Sequence, residues 1–119
     1  QRAIEATHSG YFEVGAMTQA LVWERYDYPV TLETLLEGNS HRMTYERTVA
    51  TALNPPQAAR HNTWINKTGS TNGFGAYAAF VPSKRIGIVL LANKNYPIES
   101  RVRLAHRILG ALACCSPTR

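Results

Sequence analysis

Apolar residues gather into short runs through the middle of the chain and then spread onto one helical face near its end. Trp64–Lys67, Phe74–Val81 and Ile86–Ala92 are apolar runs bounded by Gly, Pro and Ser, which predicts three strands. Pro82-Ser83-Lys84-Arg85 supplies the residues of a hairpin turn between the last two. Further on, Ile98, Val102, Ala105, Leu109 and Leu112 recur at i, i+4 and i+7, the spacing of one buried helix face. Pro97 suits the first turn of that helix, and its end is expected near Gly110 or Ala113. Arg101, Arg103 and Arg107 cannot all share the apolar face, so most of them are expected in solvent.

The first half is less regular. Ala3, Ile4, Thr7 and Tyr11 share a face at helical spacing, so Gln1–Phe12 reads as the end of a helix, with Gly10 and Gly15 at its exit. Met17–Tyr28 alternates in part and reads as one strand closed by Pro29. Thr31 can cap a short helix over Leu32–Glu37, with Thr34 where a capping box would place Glu, and Gly38-Asn39-Ser40 stops it. From His41 to Asn62 no period dominates, and Asn54-Pro55-Pro56 predicts an extended, loop-rich stretch. The expected fold class is α+β, an antiparallel sheet flanked by helices.

Composition narrows the function classes. A chain of 119 residues that is 45% apolar holds one small domain with one core. The net charge of +5 is spread along the chain with no basic stripe, which argues against nucleic acid and suits an anionic small molecule. The longest uncharged apolar run, Ile86–Asn93, is too short to span a membrane, so no membrane insertion is expected. His8, His41, His61 and His106 lack zinc spacing, and the adjacent Cys114 and Cys115 have no metal pattern, so no metal or other cofactor is expected. A chain that begins at Gln1 without a signal peptide is expected to start inside a longer protein.

The chemistry concentrates in Asn66-Lys67-Thr68-Gly69-Ser70-Thr71-Asn72-Gly73-Phe74-Gly75, at a strand end leading into a hairpin. Glycines let another chain or a ligand approach the backbone, and a Lys beside hydroxyls suits a carboxylate. A bare Lys-Thr-Gly tripeptide is a weak signal, since such a string also arises in surface turns. The longer strings are specific. Asn66–Tyr77, Leu91-Ala92-Asn93-Lys94-Asn95-Tyr96-Pro97, Gln19-Ala20-Leu21-Val22-Trp23-Glu24 and Asn54-Pro55-Pro56 together resemble class C (AmpC-type) serine β-lactamases. The resemblance runs over residues 1–112 and implies the carboxyl-terminal portion of such an enzyme, with 113–119 as a tail.

The resemblance implies a periplasmic hydrolase that opens the β-lactam ring of cephalosporin-type antibiotics through a serine acyl-enzyme. It implies that Lys67 favours a deprotonated hydroxyl nearby and attracts the substrate carboxylate, which Thr68 hydrogen-bonds. Gly69 keeps the strand edge open. The Ser70 N–H is one of two oxyanion-hole donors, and its carbonyl aligns the substrate amide. Arg101 and Asn95 fall near the carboxylate site. The loop-rich 41–62 stretch forms part of the wall facing a larger substituent. Ile98 stands where the family often has Asn, and Ala20 and Val22 stand where it often has Gly.

The remaining motifs are missing. None of Ser9, Ser40, Ser70, Ser83, Ser100 or Ser116 has a Lys three residues later, and no Tyr-x-Asn occurs. Ser70-Thr71-Asn72 matches Ser-x-Asn only by overlapping the Lys-Thr-Gly strand. The chain alone therefore has no nucleophile, is expected to be inactive, and needs the amino-terminal portion of the same enzyme as its partner. A DD-peptidase or esterase of the same fold, or a non-catalytic fragment, are the alternatives.

Overall fold

The computed structural model of the chain describes residues 2–115. Its strands are β1 (Gly10–Val14), β2 (Met17–Gln19), β3 (Glu24–Asp27), β4 (Thr51–Gln57), β5 (Thr63–Ser70), β6 (Gly75–Val81) and β7 (Ile86–Ala92). They form one sheet in the order β4-β1-β2-β3-β5-β6-β7, and every neighbouring pair is antiparallel. The helices are α1 (Arg2–Thr7), α2 (Leu32–Gly38), α3 (His41–Tyr45) and α4 (Ile98–Cys115). This is the α+β arrangement expected from the sequence pattern.

One face of the sheet carries the core. α4 packs on β6 and β7, and α2 packs on α4. Tyr26, Trp64, Tyr77, Ala79 and Val81 point from the strands to meet Leu35, Val102, Ala105 and Leu109 from the two helices. Strand alternation explains this choice: β6 buries Gly75, Tyr77, Ala79 and Val81 and leaves Ala76, Ala78 and Phe80 on the opposite face. Val89 and Leu91 of β7 also lie away from the core and are 67% and 80% exposed. At one end of that second face, the rings of His8 and Trp23 pack on Phe80, with centroids 5.4 and 5.2 Å away.

The clearest predicted elements are present. β6 and β7 pair from Gly75↔Ala92 to Val81↔Ile86, and the turn between them is a 3-10 turn ending at Arg85 with φ 54°. Thr31 caps α2, its Oγ1 accepting from the Thr34 N–H at 3.2 Å, and Asn39 ends the helix.

Other expectations are corrected. The opening helix stops at Thr7, and Gly10–Phe12 belongs to β1. Gly15, with φ +59°, forms with Ala16 a two-residue hairpin loop closed by Val14↔Met17. The single strand expected over Met17–Tyr28 is a hairpin, β2 and β3, reversing where the Ala20 N–H donates to the Trp23 carbonyl at 2.9 Å. The 41–62 stretch, read as loop, contains α3 and β4. β4 tolerates Pro55 and Pro56 because it is an outer strand whose pairing with β1 shifts register between Gly10↔Gln57 and Phe12↔Ala52, so both prolines fall in the irregular stretch between those pairs. α4 runs to Cys115, past Gly110 and a little beyond the expected end at Ala113. Residues 116–119 lie outside the described residues. Leu112, placed on the buried face by spacing, is 47% exposed, whereas Arg101 is buried at 5%.

Candidate active site

The site begins with a mismatch in strand length. β5 pairs with β6 as far as Ser70, but with β3 only as far as Asn66, opposite Glu24. Lys67–Ser70 therefore overhang the end of β3 and present an unpaired edge. Backbone alternation fixes what that edge offers. The Thr71 N–H donates to the Phe74 carbonyl at 3.0 Å, which makes that opposed pair hydrogen-bonded. In an antiparallel ladder such pairs alternate, so the next pair, Ser70↔Gly75, turns its N–H and C=O groups outward. On the β3 side, the Tyr28 N–H donates to the Asn62 carbonyl at 3.2 Å. The even-numbered residues of β5 thus face β3 while it lasts, and Thr68 and Ser70 face the open edge beyond it.

Side chains surround this edge. The Lys67 ammonium donates to Glu24 Oε1 at 2.7 Å. Glu24 Oε2 accepts from Asn66 Nδ2 at 2.9 Å, and the same amide lies 3.4 Å from Asn39 Oδ1. The Glu24 side chain is 13% exposed and that of Lys67 is 44% exposed, so the carboxylate is fixed and the ammonium keeps one side in solvent. A cleft of about 240 Å³ lies here, lined by Gln19, Glu24, Asn39, Met43, Lys67 and Thr68. A second cleft of about 520 Å³ opens at the far end of β5, where Ser70, Asn95, Ile98 and Arg101 meet His41 and Tyr45.

Arg101 occupies the floor between β5, β6 and the loop before α4. Its Nη1 donates to the carbonyls of Gly69 and Ala76 at 2.7 and 2.8 Å. Its Nη2 donates to Ser70 Oγ and to the Tyr96 carbonyl, both at 2.8 Å. Burial lowers its pKa from the usual guanidinium value, yet Arg stays charged in proteins. Tyr77, opposite Thr68 and accepting from Trp64 Nε1 at 3.3 Å, has its phenol pushed up by burial. Tyr26 is shifted the same way for the same reason. Neither phenol is a proton acceptor at neutral pH.

The structure thus brings Lys67, Thr68, Gly69 and Ser70 together on one overhang, with Asn95 and Arg101 beside its end. Glu24 received no role from the sequence. It lies in the Gln19–Glu24 string, but only the ladder shows that it is opposite Asn66 and within reach of Lys67. Among the described residues, no cluster of three His, Cys, Asp or Glu could hold a metal ion, and no helix is long and apolar enough to cross a membrane.

An antiparallel sheet backed by helices, with an open strand end bearing Lys-Thr-Gly, defines the class of serine hydrolases to which β-lactamases belong. The β-lactamase family model matches residues 1–113, and the chain belongs to that family. A β-lactamase of Pseudomonas fluorescens is 57% identical over 112 residues, which are 94% of this chain and 31% of that protein. A solved D-alanine carboxypeptidase AmpC from Burkholderia cenocepacia superposes with a TM-score of 0.91 at 61% identity, over 92% of this chain and 32% of that one. A class C β-lactamase in complex with cefoxitin gives 0.87 at 55% identity, over 92% of this chain and 30% of that one. The kinship is of class C, AmpC type, and the chain spans about a third of the length of the curated relatives it matches.

Proposed function

We propose that the full-length protein is a periplasmic hydrolase that opens the β-lactam ring of cephalosporin-type antibiotics through a serine acyl-enzyme. This chain supplies the Lys-Thr-Gly side of the site as the carboxyl-terminal portion, and the amino-terminal portion supplies the nucleophile. The observation that carries the reading is the overhang of β5, whose Ser70 N–H and C=O face an edge that no strand of this sheet occupies. A substrate amide can add to that edge as a short strand would. The Ser70 N–H then meets the developing oxyanion as one of its donors. Lys67 offers a point charge beside it for the substrate carboxylate and for a neighbouring hydroxyl, and Thr68 offers a hydroxyl to the same carboxylate. Glu24 holds the ammonium by one side only.

Similarity to a protein described as a D-alanine carboxypeptidase supports a second reading, hydrolysis of peptides ending in D-Ala-D-Ala. Steady-state kinetics of the full-length protein on a chromogenic cephalosporin and on such a peptide separates the two. The proposal expects the larger kcat/KM on the cephalosporin, and turnover of the peptide alone would overturn it.

A further inference from the structure

We infer that Arg101 is a positioning residue: its guanidinium grips and polarises the Gly69–Ser70 peptide so that the Ser70 N–H is a fixed, strengthened donor to the oxyanion. The inference rests on the oxyanion role proposed for Ser70. Nη1 donates to the Gly69 carbonyl at 2.7 Å, and that carbonyl belongs to the same peptide unit as the Ser70 N–H. Hydrogen bonds in series polarise one another, so a cationic donor on the C=O makes the N–H at the other end more acidic. Nη1 also holds the Ala76 carbonyl across the ladder at 2.8 Å, which locks the register at the strand end. Nη2 ties Ser70 Oγ and the Tyr96 carbonyl to the same group, so the loop carrying Asn95 is fixed against β5.

The same bonds argue against a direct grip on the substrate. A guanidinium has five N–H donors, and the four on Nη1 and Nη2 have protein acceptors. The fifth, on Nε, is buried and meets no acceptor. The whole residue is 5% exposed. A substrate carboxylate would have to displace one of these bonds. All four acceptors are uncharged, so the positive field of the guanidinium is left to act on the peptide it touches. Gly75 makes room for it: a Cβ there would lie 3.2 Å from Arg101 Cζ and 3.2 Å from the Lys94 carbonyl oxygen.

The test uses the full-length protein with Arg101→Lys and Gly75→Ala. The second adds one methyl group that crowds the guanidinium and keeps its charge, which guards against a first variant that fails to fold. Each is assayed on a carboxylate-bearing cephalosporin and on p-nitrophenyl acetate, which has no carboxylate. We expect Arg101→Lys to lower kcat on both substrates alike, by about 10-fold, against the ~10²–10³ for losing an oxyanion donor outright. Gly75→Ala shows a smaller fall in the same pattern, and KM for the cephalosporin stays within about 3-fold. The Ser70 amide resonance moves upfield in both variants, a readout that holds whatever the reaction proves to be. A loss confined to the cephalosporin and expressed in KM would overturn the inference, as would an unmoved Ser70 amide. Absence of turnover by the unmodified protein with a shifted amide would instead count against the β-lactamase reading.

Discussion

Lys67 stands between two carboxylates, one present and one proposed. Glu24 holds it at 2.7 Å from a site that is only 13% exposed, and the ammonium's open side faces the cleft beside Thr68. A compact, rotatable ammonium can serve both; a planar guanidinium cannot do so in the same space. In the full-length protein, Lys67→Ala is therefore expected to lower kcat/KM on a cephalosporin by about 10²–10³, the range for removing one preorganised stabilising group. Lys67→Arg should keep part of the activity. Thr68→Val should cost less, about 0.5–1.5 kcal/mol for one neutral hydrogen bond, and more if it is charge-assisted. If Lys67→Ala folds normally and keeps the unmodified kcat/KM, the role given to Lys67 is wrong. At this scale the sequence was informative where chemistry is local. The residues from Lys67 to Ser70 are contiguous, so one string names them all. Glu24 and the buried setting of Arg101 depend on strand register, which no short string contains.

Among the elements, periodicity located those whose apolar pattern spans their whole length. β6, β7 and most of α4 are of that kind, since alternation or a helical stripe is written along each. β4 is not legible in the sequence because Thr51–Gln57 is an outer strand, exposed over most of its residues and carrying two prolines, so no buried face patterns it. The β1–β2 hairpin is not legible in the sequence because Gly15 suits the exit of a helix as well as the first loop residue of a turn with φ > 0, the place it occupies here. The last turns of α4 differ from the rest of the helix. The helical spacing continues through Leu112, but the layer beneath ends at Leu109, which is 1% exposed against 47% for Leu112. Leu109→Ala is accordingly expected to destabilise the full-length protein by about 2–5 kcal/mol, the range for truncating a buried Leu. Leu112→Ala should stay within roughly 0.5 kcal/mol. Urea unfolding of the two variants checks this, and equal losses would place both side chains in the core.

For the whole molecule, the sheet is covered on one side and largely bare on the other. α2 and α4 close the first face, while Val89 and Leu91 stand 67% and 80% exposed on the second, beside Ala76 and Ala78. The strand order β4-β1-β2-β3-β5-β6-β7 was not legible, because a pairing such as β1 with β4 joins segments about 40 residues apart with nothing local to announce it. The antiparallel α+β class was legible, because hairpins and terminal helices are local. An apolar sheet face in water favours self-association, and the open edge beyond β3 adds unpaired backbone groups to that tendency. The chain on its own is therefore expected to associate at micromolar concentration, and Leu91→Lys to shift it toward monomer in sedimentation. It is also expected not to turn over a chromogenic cephalosporin. No serine in it is followed by Lys at the third position, and an acyl transfer without its nucleophile retains only orientation and one oxyanion donor. The two expectations check each other: Leu91 is separate from the Lys67–Ser70 edge, so Leu91→Lys yields a dispersed chain with that edge unaltered. Turnover by such a dispersed, highly purified chain would show that a nucleophile among these residues had been overlooked.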